Sequence, residues 1–317
     1  MSNDDGSFAR AGSVFAVTGA TAGIGYFIAE QLAATGAEVI LMGRSASRIE
    51  AAKREIRRQV PAALLSHIVV DLSDLDSVRD AGVALASRPR LDVLVANAGI
   101  ISVGKQRMTT AQGHELAVGT NHLGHFALIA AALPLLEATP GSRIVSAGSY
   151  ITGKIPFDPD DLLSERDFHP RRAYAQSKHA TEIFGFELDR RLRLSGSGTS
   201  SVVAHPGGAL EQMTPRRQDI GGASLPVRAA FSIGAGFAQG KHRGALPLVM
   251  AALDPTVEGG AYLGPHRTTH GRPVVATPPP TSVDPVLGAG LWRQSEELTG
   301  VRFATRPSGS ATDGRMP

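Results

Sequence analysis

A short β-prone run, Ser13–Thr18, enters a turn of small residues, Thr18-Gly19-Ala20-Thr21-Ala22-Gly23-Ile24-Gly25, and helical spacing begins at once behind it. No other feature narrows the fold as far. Glycines let a backbone approach a ligand closely, and a helix N-terminus offers free N–H groups and positive dipole potential. A strand before and a helix after is the context of a dinucleotide site. The spacing here is G-x-x-x-G-x-G, and a ligand-free strand–helix turn is the plain alternative.

The same alternation continues down the chain. Strand-like runs lie at Ala37–Met42, Leu65–Val70, Leu91–Ala96, Arg143–Ala147 and Thr199–Ala204. Helical stretches fall between them, at Gly23–Thr35, Ser45–Gln59, Ser73–Ala86, about Thr109–Leu136 and Ala173–Arg193. Gly36 and Pro61 end the first two helices, and Ser73 is the expected N-cap of the third. Several strands are apolar on both faces, which predicts a parallel sheet covered by helices on each side.

With 42 % apolar and 19 % charged residues the chain has enough to bury a core. There is no cysteine, so disulfides, thiolate metal sites and cysteine nucleophiles are excluded. The ten histidines have no metal-ligand spacing, and no metal is expected. The pI is near 9.4, yet the basic residues are scattered and not interleaved with aromatics, which argues against nucleic acid. No run of 18 apolar residues predicts a membrane span, and Met1–Ser13 lacks the order of a signal peptide. A cytoplasmic protein is expected, with residues 1–12 flexible and 306–317 disordered.

The second strand run ends in Met42-Gly43-Arg44. An acid there would accept ribose hydroxyls and select NAD, whereas a guanidinium suits a 2′-phosphate. NADP(H) is therefore expected over NAD(H), through Arg44 with help from Arg48.

These residues resemble the short-chain dehydrogenase/reductase family. Asp71-Leu72 looks like its adenine-contacting pair, and Asn97-Ala98-Gly99 is similar to its motif beside the cofactor. Asn121-His122-Leu123-Gly124-His125-Phe126 is similar to the retinol-dehydrogenase-like branch. The resemblance implies a doubly wound α/β Rossmann fold with about seven parallel strands, in a single domain over residues 13–305. It implies that Thr18, Gly19, Thr21, Ala22, Gly23, Ile24, Gly25, Asp71, Leu72, Asn97, Ala98, Gly99, Pro206 and Gly207 hold the cofactor, together with Tyr174 and Lys178. Members of the family often pair through the fourth and fifth helices, here about Thr109–Leu136 and Ala173–Arg193; Ala130-Ala131-Ala132 would allow such a homo-oligomer or equally pack on the sheet.

The family's Tyr-x-x-x-Lys occurs twice, at Tyr150–Lys154 and Tyr174–Lys178. The chemistry needs both side chains one turn apart on a rigid helix. Gly153 and Pro156 make the first pair a loop, whereas Tyr174 opens a stretch without Gly or Pro until Gly185. Tyr174 is thus the expected proton donor and acceptor, and Lys178 the cation that favours its phenolate and holds the nicotinamide ribose. Ser149 matches the second of two adjacent family serines, the first being Gly148 here; Ser146 is the alternative. Asn121 looks like the helix asparagine that anchors a water behind Lys178. Four residues after Gly207 the family often has threonine, and here stands Glu211, an unfavourable neighbour for a pyrophosphate.

The expected activity is NADP(H)-dependent interconversion of an alcohol and a ketone or aldehyde, on a medium-sized apolar substrate. A sugar-nucleotide epimerase or dehydratase shares Tyr-x-x-x-Lys but carries another glycine spacing. A non-catalytic NADP-binding protein would typically lack the Tyr or the Lys. Residues 206–244, rich in glycine, are expected to form a mobile cap over the substrate, and Pro156–Arg172 an insertion that either covers substrate or decorates the surface.

Overall fold

The computed structural model describes residues 10–101, 105–220 and 238–303. The chain begins β1 (Val14–Thr18), α1 (Gly23–Ala33), β2 (Glu38–Gly43), α2 (Ala46–Gln59), β3 (Leu64–Val69), α3 (Leu75–Ala86) and β4 (Val93–Ala96). After α4 (Leu116–Val118) a π-helical turn, Gly119–Leu123, leads into α5 (Gly124–Glu137). There follow β5 (Arg143–Ala147), α6 (Pro170–Leu194), β6 (Ser200–Ala204), β7 (Ala209–Leu210), β8 (Gln239–Gly240), α7 (Lys241–Gly244) and α8 (Leu246–Leu253). β9 (Tyr262–Pro265), β10 (Pro273–Val275), α9 (Pro280–Val283) and α10 (Pro285–Thr299) close the described chain.

Eight strands form one sheet in the order β10-β9-β6-β5-β4-β1-β2-β3. The order reverses between β1 and β4, which opens a crevice at their carboxyl ends. The expected doubly wound fold is present, with the seven parallel strands β3, β2, β1, β4, β5, β6 and β9. An eighth strand, β10, pairs antiparallel with β9. Its sequence, Pro273-Val274-Val275, is too short to stand out, and it forms only because the chain turns back along the sheet edge.

Strand side chains alternate strictly between two cores. Val14 and Ala16 face a cluster with Phe126, Phe184 and Trp292 under α3, α5, α6 and α10. Phe15 and Val17 face Phe27, Ile28 and Leu248 under α1, α2 and α8. The two-residue period of a strand makes this division, and the short strands β1 and β4 are buried along their whole length.

Three local expectations change. The fourth helix starts at Leu116, because Thr109 is drawn into an antiparallel bridge with Glu115. Asp74, not Ser73, caps α3: both the N–H and the hydroxyl of Ser73 donate to Asp71 Oδ1, while Asp74 accepts from Asp76 N. Pro170–Arg172 form the first turn of α6, so the insertion is shorter than expected. Of the expected cap, residues 206–220 and 238–244 are described, and its remainder lies outside the described residues, as do residues 1–9 and 304–317.

Leu116–Glu137 is long and apolar enough to cross a membrane, unlike the expectation from unbroken apolar runs. In the fold 78 % of its most apolar 18-residue stretch is buried, as in a helix packed on the sheet. Its alanine stretch is also used within the chain: a Cβ on Gly82 of α3 would lie 2.5 Å from Ala131 Cβ. α10 covers the neighbouring face, where Trp292 meets Phe126 at 5.5 Å, Phe184 at 5.6 Å and Phe303 at 4.5 Å between ring centroids. Ala131 is thus in contact with α3, while Ala130 and Ala131 both stay half-buried.

Trp292 fills the centre of this aromatic group and is stacked on its outer side by Arg191. Trp292→Ala should cost about 3–5 kcal/mol of stability through lost burial and a residual cavity. A thermal or denaturant midpoint that barely moves would show that α10 contributes little to the core.

Candidate active site

The crevice at the β1/β4 switch point is held by a few buried polar groups. Thr18 Oγ1 accepts from the backbone N–H of Asn97 and Ala98, both at 2.9 Å, and Asn97 Nδ2 donates to Thr18 O at 2.9 Å. His125 joins them, its Nε2 lying 2.8 Å from Thr18 Oγ1 and its Nδ1 2.9 Å from Asn121 O. Burial pushes the His125 pKa down to about 4, so it acts as a neutral bridge. Thr18 is wholly buried and its hydroxyl is already engaged, so its part is to join β1 to β4.

Behind this tie the glycine turn is tightly packed. A Cβ on Gly25 would fall 2.3 Å from Gly19 O and 2.4 Å from Asn97 Nδ2, so only glycine lets α1 start this close to β1. Gly23 differs: around it the space is open, and its φ of +60° turns the chain outward. Ala22, the N-cap of α1, supplies no side-chain acceptor, and no acid lies in the first turn. The first N–H groups thus face the crevice uncapped, which suits an anion. Thr21 touches the end of β2, 3.1 Å from where a Gly43 Cβ would be. Arg44, next in the chain, is exposed and has no ion pair or hydrogen bond among the described residues. An uncapped helix start flanked by a free guanidinium fits a phosphorylated dinucleotide.

Two of the expected cofactor residues also serve the fold. Asp71 spends Oδ1 on Ser73, and Leu72 is a core residue whose carbonyl packs against Gly124. Gly207, at φ +66°, passes against Thr269 O and Pro265, and its N–H donates to His205 Nδ1 at 3.3 Å. Pro206 O is held by Gln239 Nε2 at 3.0 Å.

On the other side of the crevice α6 presents Tyr174 and Lys178 one turn apart. Lys178 is buried and donates to Ala147 O at 2.8 Å. Burial lowers its pKa to about 8. Gly99 lies over it, with its Cβ position 3.5 Å from Lys178 Nζ and 3.3 Å from Asn121 Oδ1. Asn121 sits on the π-helical turn, a distortion common at functional sites. Its carboxamide is fixed by Ile100 N at 2.8 Å, Ile100 O at 3.0 Å and Ser177 Oγ at 2.9 Å. Burial raises the Tyr174 phenol above its usual value, while hydrogen bonding from Ser149 pulls the other way. Ser146 instead lies within β5, its side chain against Gly185 of α6, away from this group. Tyr150 and Lys154 lie at a single 3-10 turn, with the ammonium 5.6 Å over the Tyr150 ring. They are therefore not one turn apart on a rigid helix, as Tyr174 and Lys178 are.

A cavity of about 520 Å³ opens beside Tyr174, lined by Ile101, Phe168, His169 and Pro170 among others. Of the 156–169 segment, Phe168 and His169 reach this cavity.

Sequence reasoning missed Glu182. It lies one turn beyond Lys178 on α6 and is fully buried. Oε1 accepts the Ser149 N–H at 2.9 Å, and Oε2 accepts from Ser282 Oγ at 2.8 Å. Burial raises its pKa to about 7, against these donors and Lys178. The available signal was its spacing, Tyr174-x-x-x-Lys178-x-x-x-Glu182, combined with Gly148. A Cβ at 148 would stand 2.5 Å from Glu182 Oε1, so the residue that departs from a serine pair makes room for the carboxylate. Gly148→Ala should therefore cost about 1–3 kcal/mol by overpacking and displace the Ser149 backbone. An unchanged melting temperature would mean that Glu182 yields freely.

The whole-chain comparisons agree with this geometry. Residues 13–219 match the family model for short chain dehydrogenases. Human retinol dehydrogenase 13 is 33 % identical over 92 % of the chain and 85 % of the relative, and mouse polyprenol dehydrogenase is 34 % identical over 91 % and 84 %. The solved structure of an uncharacterised protein from Mycobacterium paratuberculosis shares 31 % identity at a TM-score of 0.74, covering 92 % of this chain and 95 % of that one. A short-chain dehydrogenase from Burkholderia cenocepacia, solved with NADP, shares 26 % identity at 0.61, over 81 % and 97 %. With a glycine turn at the switch point, a Tyr–Lys helix beside it and kinship across almost its full length, the chain belongs to the short-chain dehydrogenase/reductase family, in its retinol-dehydrogenase-like branch, as an oxidoreductase acting on CH–OH and C=O groups.

Proposed function

We propose that the chain is an NADP(H)-dependent oxidoreductase that interconverts an apolar alcohol and its aldehyde or ketone, with Ser149, Tyr174 and Lys178 at the reacting centre and Asn121 behind them. The convergence of these three side chains on one crevice carries the reading. Thr21, Ala22, Gly23 and Ile24 of the glycine turn, with Arg44, would hold the dinucleotide. Bound there, the nicotinamide supplies or accepts the hydride.

The chain's own residues handle the charge and the proton. Reduction leaves negative charge on the substrate oxygen. Ser149 Oγ can donate to that oxygen and orient it, and Tyr174 can deliver the proton. Desolvation keeps Tyr174 a phenol at neutral pH, which suits proton donation in the reductive direction. Lys178, cationic below about pH 8, favours the phenolate that remains after transfer. Glu182 fixes the backbone under Ser149 and lies beside Lys178 as a counter-charge. Ile101, Phe168 and Pro170 give the cavity an apolar part that supports an apolar substrate body, with Lys105, His169 and Arg171 as its polar lining. The names of the relatives, dehydrogenases of retinol and polyprenol, point the same way.

Tyr174→Phe should abolish turnover while NADPH binding stays within a few-fold, because the phenol moves a proton and its ring mainly packs. Tyr150→Phe should be nearly silent. A dead Tyr150→Phe enzyme beside an active Tyr174→Phe enzyme would assign the centre to the wrong motif.

Arg44→Asp should reverse or collapse the preference for NADPH over NADH. Loss of a charge-assisted contact costs about 1.5–3 kcal/mol, or roughly ten- to a hundredfold in kcat/KM. Equal use of both cofactors by the unmodified enzyme would contradict this assignment.

A further inference from the structure

Glu211 stands where a carboxylate would repel a diphosphate, and the structure supplies its partner. β7 and β8 pair in parallel, Ala209 with Gln239 and Leu210 with Gly240. Glu211 and Lys241 directly follow these strands and form an ion pair. The arrangement is fixed from several sides. Lys241 N donates to Thr214 Oγ1 at 2.9 Å, and Gln31 Nε2 of α1 donates to His242 O at 2.9 Å. A Cβ on Gly240 would meet Met213 O at 2.3 Å, so the two short segments lie in close contact.

This clasp brings the Lys241 ammonium over the glycine turn. In the otherwise open space at Gly23, the one described atom within 4 Å of the Cβ position is Lys241 Nζ, at 3.9 Å. A cation above the N-terminus of α1 has the wrong sign, because that end carries about half a positive charge and no side chain caps it. The position becomes favourable when an anion lies between the ammonium and the helix. Glu211 neutralises the lysine meanwhile, and both side chains remain reachable, with 26 % and 40 % of their surface exposed.

We propose that Lys241 is a diphosphate ligand of the dinucleotide site, and that Glu211 is the counter-ion it exchanges for the diphosphate when the cofactor binds. The proposal rests on the NADP(H) reading above but concerns the diphosphate, which NADPH and NADH share. Glu211 thereby becomes a brake on affinity that is set by the strength of one ion pair.

Dissociation constants for NADPH and NADH, measured by the fluorescence of the bound dihydronicotinamide, test it in the parent and four variants. Lys241→Met should weaken both cofactors about tenfold, and Lys241→Arg should retain most of the affinity. Glu211→Gln should tighten both several-fold, the opposite sign. Arg44→Asp should weaken NADPH alone, which separates this site from the one that selects NADP(H). Weaker binding in Glu211→Gln as well as in Lys241→Met would reduce the pair to a structural clasp and overturn the proposal. So would unchanged affinity in Lys241→Met. If the parent bound neither dinucleotide, the functional reading would fall, and this proposal with it.

Discussion

Two ionisable side chains, Lys178 and Glu182, are buried on one helix, and the site is arranged around that constraint. Moving an ion out of water costs several kcal/mol unless its hydrogen bonds are replaced. Here Ala147 O receives the ammonium, while Ser149 N and Ser282 Oγ donate to the carboxylate. These partners come from the end of β5, from the turn behind it and from α9. Satisfying the helix therefore fixes the loop that bears Ser149 and draws the C-terminal segment against the crevice. Each group thus depends on backbone and hydroxyl partners from other elements, so the helix, the sheet end and α9 form one unit.

The other wall of the crevice is built on the same logic, with neutral groups. Thr18, Asn97, His125 and Asn121 pass hydrogen bonds from β1 through β4 to the π-helical turn. The imidazole stays neutral, so no charge competes with Lys178 nearby. The glycine turn and the Tyr174–Lys178 helix thus lie on opposite sides of a crevice whose walls are tied together by buried hydrogen bonds, while Arg44, Glu211 and Lys241 keep exposed charges.

Much of this was legible in the sequence, because it follows from local pattern. The glycine turn, the alternation of strands and helices, and the placing of Tyr174 and Lys178, but not Tyr150 and Lys154, on one long helix depend on neighbours within a few residues. What the pattern could not give are consequences of contact at long range. β10 is a strand only because β9 offers an edge. Asp74 caps α3 because Asp71 has already taken Ser73. The alanines of α5 suit a second copy or internal packing equally, and α3 reaches Ala131 through Gly82. Glu182 explains Gly148 across 34 residues, and Lys241 explains Glu211 across 30, and neither link exists until the sheet assembles.

The central claim is that this crevice transfers hydride to a carbonyl and returns a proton from Tyr174. The most direct measurement is the fate of NADPH when the purified protein meets a panel of apolar aldehydes, followed by the near-ultraviolet absorbance of the dihydronicotinamide. NADPH should be consumed one-for-one with the alcohol formed, and the Tyr174→Phe variant should consume none. NADPH that binds but persists across the whole panel, or a nucleotide sugar converted with no net change in NADPH, would contradict it.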